Sequence, residues 1–212
     1  MTRARLNGIE IDYEVSGRGP AVLLSHGYSA TRRMWDGQHR ALGFADAGLP
    51  TLTEMINKAR EIVDAVNIPI VSDCETGYGN AVNVTRSVRE FEKAGVAALH
   101  IEEQMTPKRA GHEGFDVGLV SREEFVNKIK AAVDTRHDEN LVIIARSEAK
   151  DSLQERIERV STCCEAGAGA VWLSARTEDE IKAFAKIGKP MVGVPPRQLM
   201  PISRWGELGG RV

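Results

Sequence analysis

Neither Gly-x-Ser-x-Gly nor Gly-x-Gly-x-x-Gly occurs anywhere in the 212 residues. The first absence removes the serine elbow that a strand-turn-helix hydrolase site needs. The second removes the phosphate-cradling turn of a dinucleotide-binding fold. No apolar run approaches the roughly 20 residues of a membrane span. The opening MTRARL is basic, but no apolar stretch follows it, so no signal peptide is expected. An excess of one charge is missing too: the net charge is −2 with no basic stripe, which gives no support for a nucleic-acid partner. Aromatic residues are only 5%, and Trp35, Trp172 and Trp205 are scattered rather than gathered into a stacking platform. The three cysteines, Cys74, Cys163 and Cys164, are odd in number and two are adjacent, so they form no disulfide framework. Reduced thiols in a cytoplasmic protein are the expectation, with Cys163 and Cys164 as structural thiols on a helix.

What is present is a rhythm that begins near residue 51. TLTEMINKAREIVDAV is helix-periodic and opens with a capping box from Thr51 to Glu54; IPIVSD then reads as a buried strand. NAVNVTRSVREFEKAG predicts a helix ending at Gly95, and VAALHIEE a strand. After a polar loop, SREEFVNKIKAAVDTR predicts a helix started by Ser121, NLVIIARSEA a strand, and SLQERIERVSTCCEAG a helix closed by Gly167. AGAVWLS, TEDEIKAFAKIG and KPMVGVP continue as strand, helix and strand, the acids at 177–180 favouring the helix N-terminus. Strict alternation with short connections is the signature of a parallel sheet, and a (β/α) barrel of the TIM type fits it best. In such a barrel the chemistry belongs at the C-terminal strand ends. Polar residues collect there: Asp73 and Glu75, Glu102 and Glu103, Arg146 and Glu148.

The stretch SDCETGYGN, residues 72–80, sharpens the question. Side chains alternate along a strand, so Asp73 and Glu75 are expected on one face and Cys74 on the other. Two carboxylates on one face repel unless a cation lies between them, and a hard divalent ion with oxygen ligands would resolve the conflict. A strand that has simply reached solvent would carry acids without any such partner. Gly77 and Gly79 let the backbone approach a ligand closely, and Tyr78 is a candidate to line the pocket.

Residues 1–42 follow another pattern. NGIEIDYEVSGRGPAVLLSHGYSATRRMWDGQ reads as an alternating strand, a Gly-rich turn and an apolar strand ending at His26-Gly27. This resembles the opening of an α/β-hydrolase, in which His-Gly helps shape the oxyanion hole. Without a nucleophile elbow, His26 reads as a turn element.

From about Gly48 onward, LPTLTEMINKAREIVDAVNIPIVSDCETGYGN, AGVAALHIEEQMTPKRAGH and LVIIARSEA resemble marker segments of the isocitrate lyase/phosphoenolpyruvate mutase superfamily, in order and at family spacing. The methylisocitrate lyase-like and carboxyphosphonoenolpyruvate mutase-like proteins are the branch the chain resembles most. The resemblance implies a (β/α)8 barrel and a Mg²⁺ site, with Mn²⁺ as a possible substitute, acting on a 2-oxo acid or its enolate. It implies that Asp73, Glu75 and Glu102 serve the metal and that Arg146 grips the substrate carboxylate. Lys108 and His112 are implied in the catalytic loop, with Arg109 beside them, and Gly77, Tyr78 and Gly79 against the substrate.

The departures are specific. The lyase loop reads Lys-(Lys/Arg)-Cys-Gly-His, and here Ala110 replaces the cysteine; a methyl group transfers no proton. Ser174 stands where lyases carry a glutamate, and Gly193 where an asparagine usually meets substrate. The expected organisation is therefore a hydrolase-like segment at 1–42 and a partial barrel at 43–212, incomplete or altered, with its first two βα units replaced and its last truncated. The expected activity is a Mg²⁺-dependent carbon–carbon lyase acting on a 2-hydroxy di- or tricarboxylate or a 2-oxo acid. The alternatives are an oxaloacetate decarboxylase or related 2-oxo-acid hydrolase, and an inactive remnant. The expected partners are a small carboxylate substrate and further copies of the chain in a dimer or tetramer, with neither nucleic acid nor membrane.

Overall fold

The computed structural model describes residues 2–6, 9–13, 23–24, 50–106, 108, 118–149, 152–173, 177–193 and 202–211. Two short strands, β1 (Thr2–Leu6) and β2 (Ile9–Tyr13), pair antiparallel as a hairpin. The remaining strands form one parallel sheet in strict chain order: β3 (Leu23–Leu24), β4 (Ile70–Asp73), β5 (Ala98–Glu102), β6 (Val142–Arg146), β7 (Ala170–Trp172), β8 (Met191–Val192) and β9 (Gly210–Arg211). Helices α1 (Leu52–Ala65), α2 (Ala81–Lys93), α3 (Arg122–Thr135), α4 (Leu153–Glu165), α5 (Glu178–Ala185) and α6 (Ile202–Glu207) stand between or beside these strands. Sequential neighbours and uniform direction make this a barrel wall of the TIM type, incomplete in that no pairing joins β9 to β3 among the described residues.

The helices begin where the sequence signals them. The Thr51 side chain accepts from the Glu54 backbone while the Glu54 carboxylate accepts from the Thr51 N–H, closing the capping box. Asn80, Ser121, Ser152 and Thr177 cap the next four helices. Gly95 and Gly167, just past α2 and α4, take the left-handed backbone that a helix stop requires.

Alternation then divides the sheet into two faces. Leu99, Ile101, Ile143, Ala145, Val171 and Leu173 pack with helix residues such as Val84, Val88, Phe91, Phe125 and Ile129. Burying each of these larger side chains contributes about 1.5–3 kcal/mol. Val71, Ala98, Ile144, Ala170 and Trp172 form a second cluster containing no helix residue, the inner face of the wall. Above it lie Asp73, His100, Glu102 and Arg146. Pairing sets Asp73 beside His100, Glu102 beside Arg146 and Arg146 beside Trp172.

Within the first 42 residues, Leu23 and Leu24 pair with Ile70 and Val71 at the edge of the barrel sheet. The end of the chain also adds a short strand, with Met191 opposite Gly210 and Val192 opposite Arg211. An added Cβ at Gly210 would meet the buried Trp205 ring at 2.1 Å, so the ring can seat there only against glycine. Among the described residues no helix is long and apolar enough to cross a membrane.

Candidate functional site

The strand tips of β4, β5 and β6 bring Asp73, Glu102 and Arg146 together, each at most 8% exposed. Arg146 fans across the carboxylates: Nη1 is 3.9 Å from Asp73, Nη2 is 3.4 Å from Glu102, and Nε is 2.6 Å from Glu148. Its guanidinium carbon lies 5.8 Å from the Trp172 ring centroid, and that ring packs on His100 at 4.9 Å. His100 Nδ1 is 3.4 Å from Asp73. Trp172 is thus the floor on which the arginine and the histidine are both oriented, by cation–π attraction for the arginine and by ring packing for the histidine.

Glu75 reaches this cluster by a route that strand alternation does not describe. β4 ends at Asp73, and Glu75 turns out of the strand with φ +53°. Cys74 packs in the helix-facing core, as alternation expects, while Asp73 accepts from the Glu75 N–H at 2.6 Å. Gly77 (φ +81°), Tyr78 (φ +63°) and Gly79 (φ +144°) continue the left-handed turn. An added Cβ at Gly77 would lie 2.4 Å from a Val84 methyl. Glu75 and Tyr78, the two left-handed residues here that are not glycine, store strain of about 1–3 kcal/mol each, and such strain persists where surroundings over-determine it. Here Ser87 Oγ donates to the Gly77 carbonyl at 3.1 Å, and Lys128 Nζ to the Thr76 carbonyl at 3.3 Å. Tyr78 packs against the helix-facing core, with its hydroxyl fully enclosed.

Lys108, 8% exposed, completes the group. Its ammonium contacts Glu75 Oε2 and lies 2.8 Å from Glu102 Oε1. His112, Arg109, Ala110, Ser174 and His26 lie outside the described residues. Gly193 follows β8, where an added Cβ would come 2.2 Å from the Leu173 carbonyl oxygen; this backbone has no room for an asparagine side chain.

Burial and mutual repulsion pull the acids apart in strength. Burial alone would raise Asp73, but His100, Arg146, Lys108 and the Glu75 N–H outweigh it and hold the carboxyl at about 2. Burial, reinforced by Asp73, pushes Glu75 up to about 7 despite Lys108. Glu102 is raised by burial against the pull of Arg146 and Lys108, while Arg146 is driven above its usual value because the three carboxylates outweigh its own burial.

The signs are opposite for folding. Glu75, raised from 4.5, contributes stability that is full below about pH 4.5 and lost as pH rises through about 7. Asp73, lowered from 3.8, contributes stability above about pH 3.8 that is lost as pH falls towards 2. In chelator-treated protein the melting temperature should therefore decline between pH 5 and 8. Glu75→Gln should flatten that decline in a thermal scan series; Glu102 and Glu103, raised in the same direction, leave a residual slope.

A model of the family described as phosphoenolpyruvate phosphomutase matches residues 37–212. The chain belongs to that family. The 2,3-dimethylmalate lyase of Eubacterium barkeri is 48% identical over 146 residues, 66% of this chain and 50% of that protein. The oxaloacetate decarboxylase of Rhodopseudomonas palustris is 42% identical over 176 residues, 81% of this chain and 60% of that protein. A crystal structure of phosphonopyruvate hydrolase complexed with oxalate and Mg²⁺ superposes with a TM-score of 0.70 at 35% identity, covering 82% of this chain and 63% of that one. The chain spans about half the length of the first curated relatives it matches.

Phosphomutase-family membership raises the question of a divalent ion, and the chemistry of the donor set bears on it. Asp73, Glu75 and Glu102 are hard oxygen donors, and Glu75 Oε2 and both Glu102 oxygens are enclosed, with only the Lys108 ammonium and the Arg146 guanidinium set against them among the described residues. Such atoms suit Mg²⁺, which takes few carboxylates and keeps several waters. Among the described residues no three His, Cys, Asp or Glu side chains form a ready metal cage, and the Lys108 ammonium contacts both Glu75 and Glu102.

Two further buried residues brace this cluster from behind. Glu103, fully buried on the face opposite Glu102, accepts from Ser147 Oγ and from the Glu148 and Ala149 N–H groups, and pairs with Arg159 at 2.9 Å. It thereby fixes the chain just past Arg146. Lys128, 1% exposed, grips the Glu75 turn from α3.

Proposed function

We propose that this protein is a Mg²⁺-dependent carbon–carbon lyase acting on a 2-hydroxy dicarboxylate or tricarboxylate, or on a 2-oxo acid. The observation that carries the reading is the buried fork of Arg146 set against the carboxylates of Asp73 and Glu102 at adjoining strand tips. Asp73, Glu75 and Glu102 would hold the ion; Mg²⁺ or Mn²⁺ supplies, when bound, polarisation of the substrate carbonyl and charge neutralisation as an enolate develops. Arg146 binds the substrate carboxylate through its planar donors, which suit a two-oxygen anion better than a lysine would. Glu148 and Trp172 orient that guanidinium. Gly77 and Gly79 allow the backbone close to the ligand, and Lys108 and His112 complete the set from the loop that follows β5.

The proteins most similar to this chain include a dimethylmalate lyase, methylisocitrate lyases and an oxaloacetate decarboxylase. Ala110, in place of the lyase cysteine, favours the decarboxylase or hydrolase as the second reading, since those chemistries dispense with that thiol. One assay separates them. Purified protein with Mg²⁺ is offered 2,3-dimethylmalate, 2-methylisocitrate and oxaloacetate, and pyruvate is measured with and without chelator. Chelator-sensitive pyruvate accompanied by a second carboxylic acid supports the lyase. Pyruvate and carbon dioxide from oxaloacetate alone, above the metal-only rate, supports the decarboxylase. Inertness of folded protein toward all three would contradict both and favour a chain that only binds.

A further inference from the structure

We propose that Lys108 is a tethered counter-cation that holds the divalent-ion position closed, so that its ammonium and the metal compete for Glu75 and Glu102. The inference rests on the metal reading above and concerns what must leave before the ion can enter. Lys108 is the side chain that bridges these two acids, while Arg146 engages the other oxygen of Glu102 and the far side of Asp73. Three buried carboxylates then face two single positive charges. Exchanging the ammonium for a divalent ion would balance them, and an ammonium is a compact point charge with no geometry of its own to defend the place.

The lysine is delivered by a fixed root rather than by a loose tail. Gln104 and Leu119 form an antiparallel bridge, the Met105 N–H donates to the Gly118 carbonyl at 2.8 Å, and the Val120 N–H to the Glu103 carbonyl at 3.0 Å. The Thr106 hydroxyl contacts that of Thr76, next to Glu75 in the strained turn. Residues 104–106, which precede Lys108, are therefore docked on the turn carrying its partner. Ion affinity follows from this: a site competent only when Lys108 has withdrawn binds more weakly by the fraction of time it is open.

The test uses wild-type protein first. Its amines are labelled by reductive methylation and Lys108 is followed by mass spectrometry, without metal and with saturating Mg²⁺ whose binding is monitored by calorimetry. The expected result is slow labelling without metal and at least a tenfold rise with Mg²⁺ bound. Separately, Mn²⁺ titration followed by the loss of the free-ion paramagnetic resonance signal should show Lys108→Met binding at least tenfold more tightly than wild type, with Lys108→Gln behaving likewise. Mg²⁺ bound to wild type while Lys108 stays protected would overturn the competition and leave the metal site standing. Equal Mn²⁺ affinity in wild type and a folded Lys108 variant would do the same. Absence of binding to wild type and to both variants would overturn the metal reading itself, and the inference with it.

Discussion

Arg146→Met should reduce kcat/KM by about 10²–10⁴-fold and destabilise the protein by roughly 3–5 kcal/mol. Both effects come from one geometry. The guanidinium is 8% exposed and faces Asp73, Glu102 and Glu148, so its removal leaves buried carboxylates without their counter-charge. Removing one partner of a buried pair costs more than the pair itself contributes, because the remaining charge cannot regain water. Arg146→Lys separates the two roles: it keeps a positive charge and most of the stability but loses the planar fork, so activity should remain well below wild type. Chemical denaturation and steady-state kinetics on both variants check this. A lysine variant with wild-type kcat/KM would mean that Arg146 only balances charge.

Glu103→Ala should cost about 3–5 kcal/mol, which in a chain of this length lowers the melting temperature by about 10 °C. The carboxylate has no exposed surface and accepts from Ser147, from two successive backbone N–H groups and from Arg159, whose guanidinium also donates to the Val120 carbonyl. Alanine would take this acceptor from all of these donors at once, leaving Arg159 only Val120 and Glu155, and the Glu148 N–H without a side-chain acceptor among the described residues. Glu103→Gln keeps one acceptor oxygen for Ser147, Glu148 and Ala149 and should lose clearly less, about 1–2 kcal/mol. Urea midpoints at constant m-value compare the two. If both variants lose the same amount, the charge opposite Arg159 is what matters and the backbone anchoring is incidental.

These two residues also show where the sequence was readable. The elements of the barrel wall were legible because apolar runs of strand length alternate with helix-periodic stretches, and Thr51, Ser121 and Thr177 begin helices at the residues their capping chemistry indicates. Asp73, Glu102 and Arg146 were legible as a group because polar residues at successive parallel strand ends must share one rim of the sheet. Glu103 was visible only as the second acid of HIEE. Its partner Arg159 lies 56 residues on, and no local pattern announces a pairing across that distance. Lys128 did leave a local signal: it falls between Phe125 and Ile129 on the buried stripe of α3, where a lysine is out of place unless it has a polar partner inside. Glu75 shows the opposite failure. Two-residue alternation placed it beside Asp73, but the strand stops at Asp73 and a left-handed turn brings it there instead. Leu23–Leu24 lies in the apolar strand read before His26-Gly27, but its pairing with β4 was beyond reach, because an apolar run does not name its neighbour in the sheet.

The account depends on a divalent ion at Asp73, and calorimetric titration of Mg²⁺ in the presence of oxalate measures that most directly. Wild-type protein should give a saturable heat with one ion per chain, accompanied by proton release near pH 7, because Glu75 titrates at about 7 and must be ionised to bind metal. Asp73→Asn, checked for folding by circular dichroism, should give none. Folded wild-type protein that shows no binding, or an asparagine variant that binds as tightly as wild type, would contradict it.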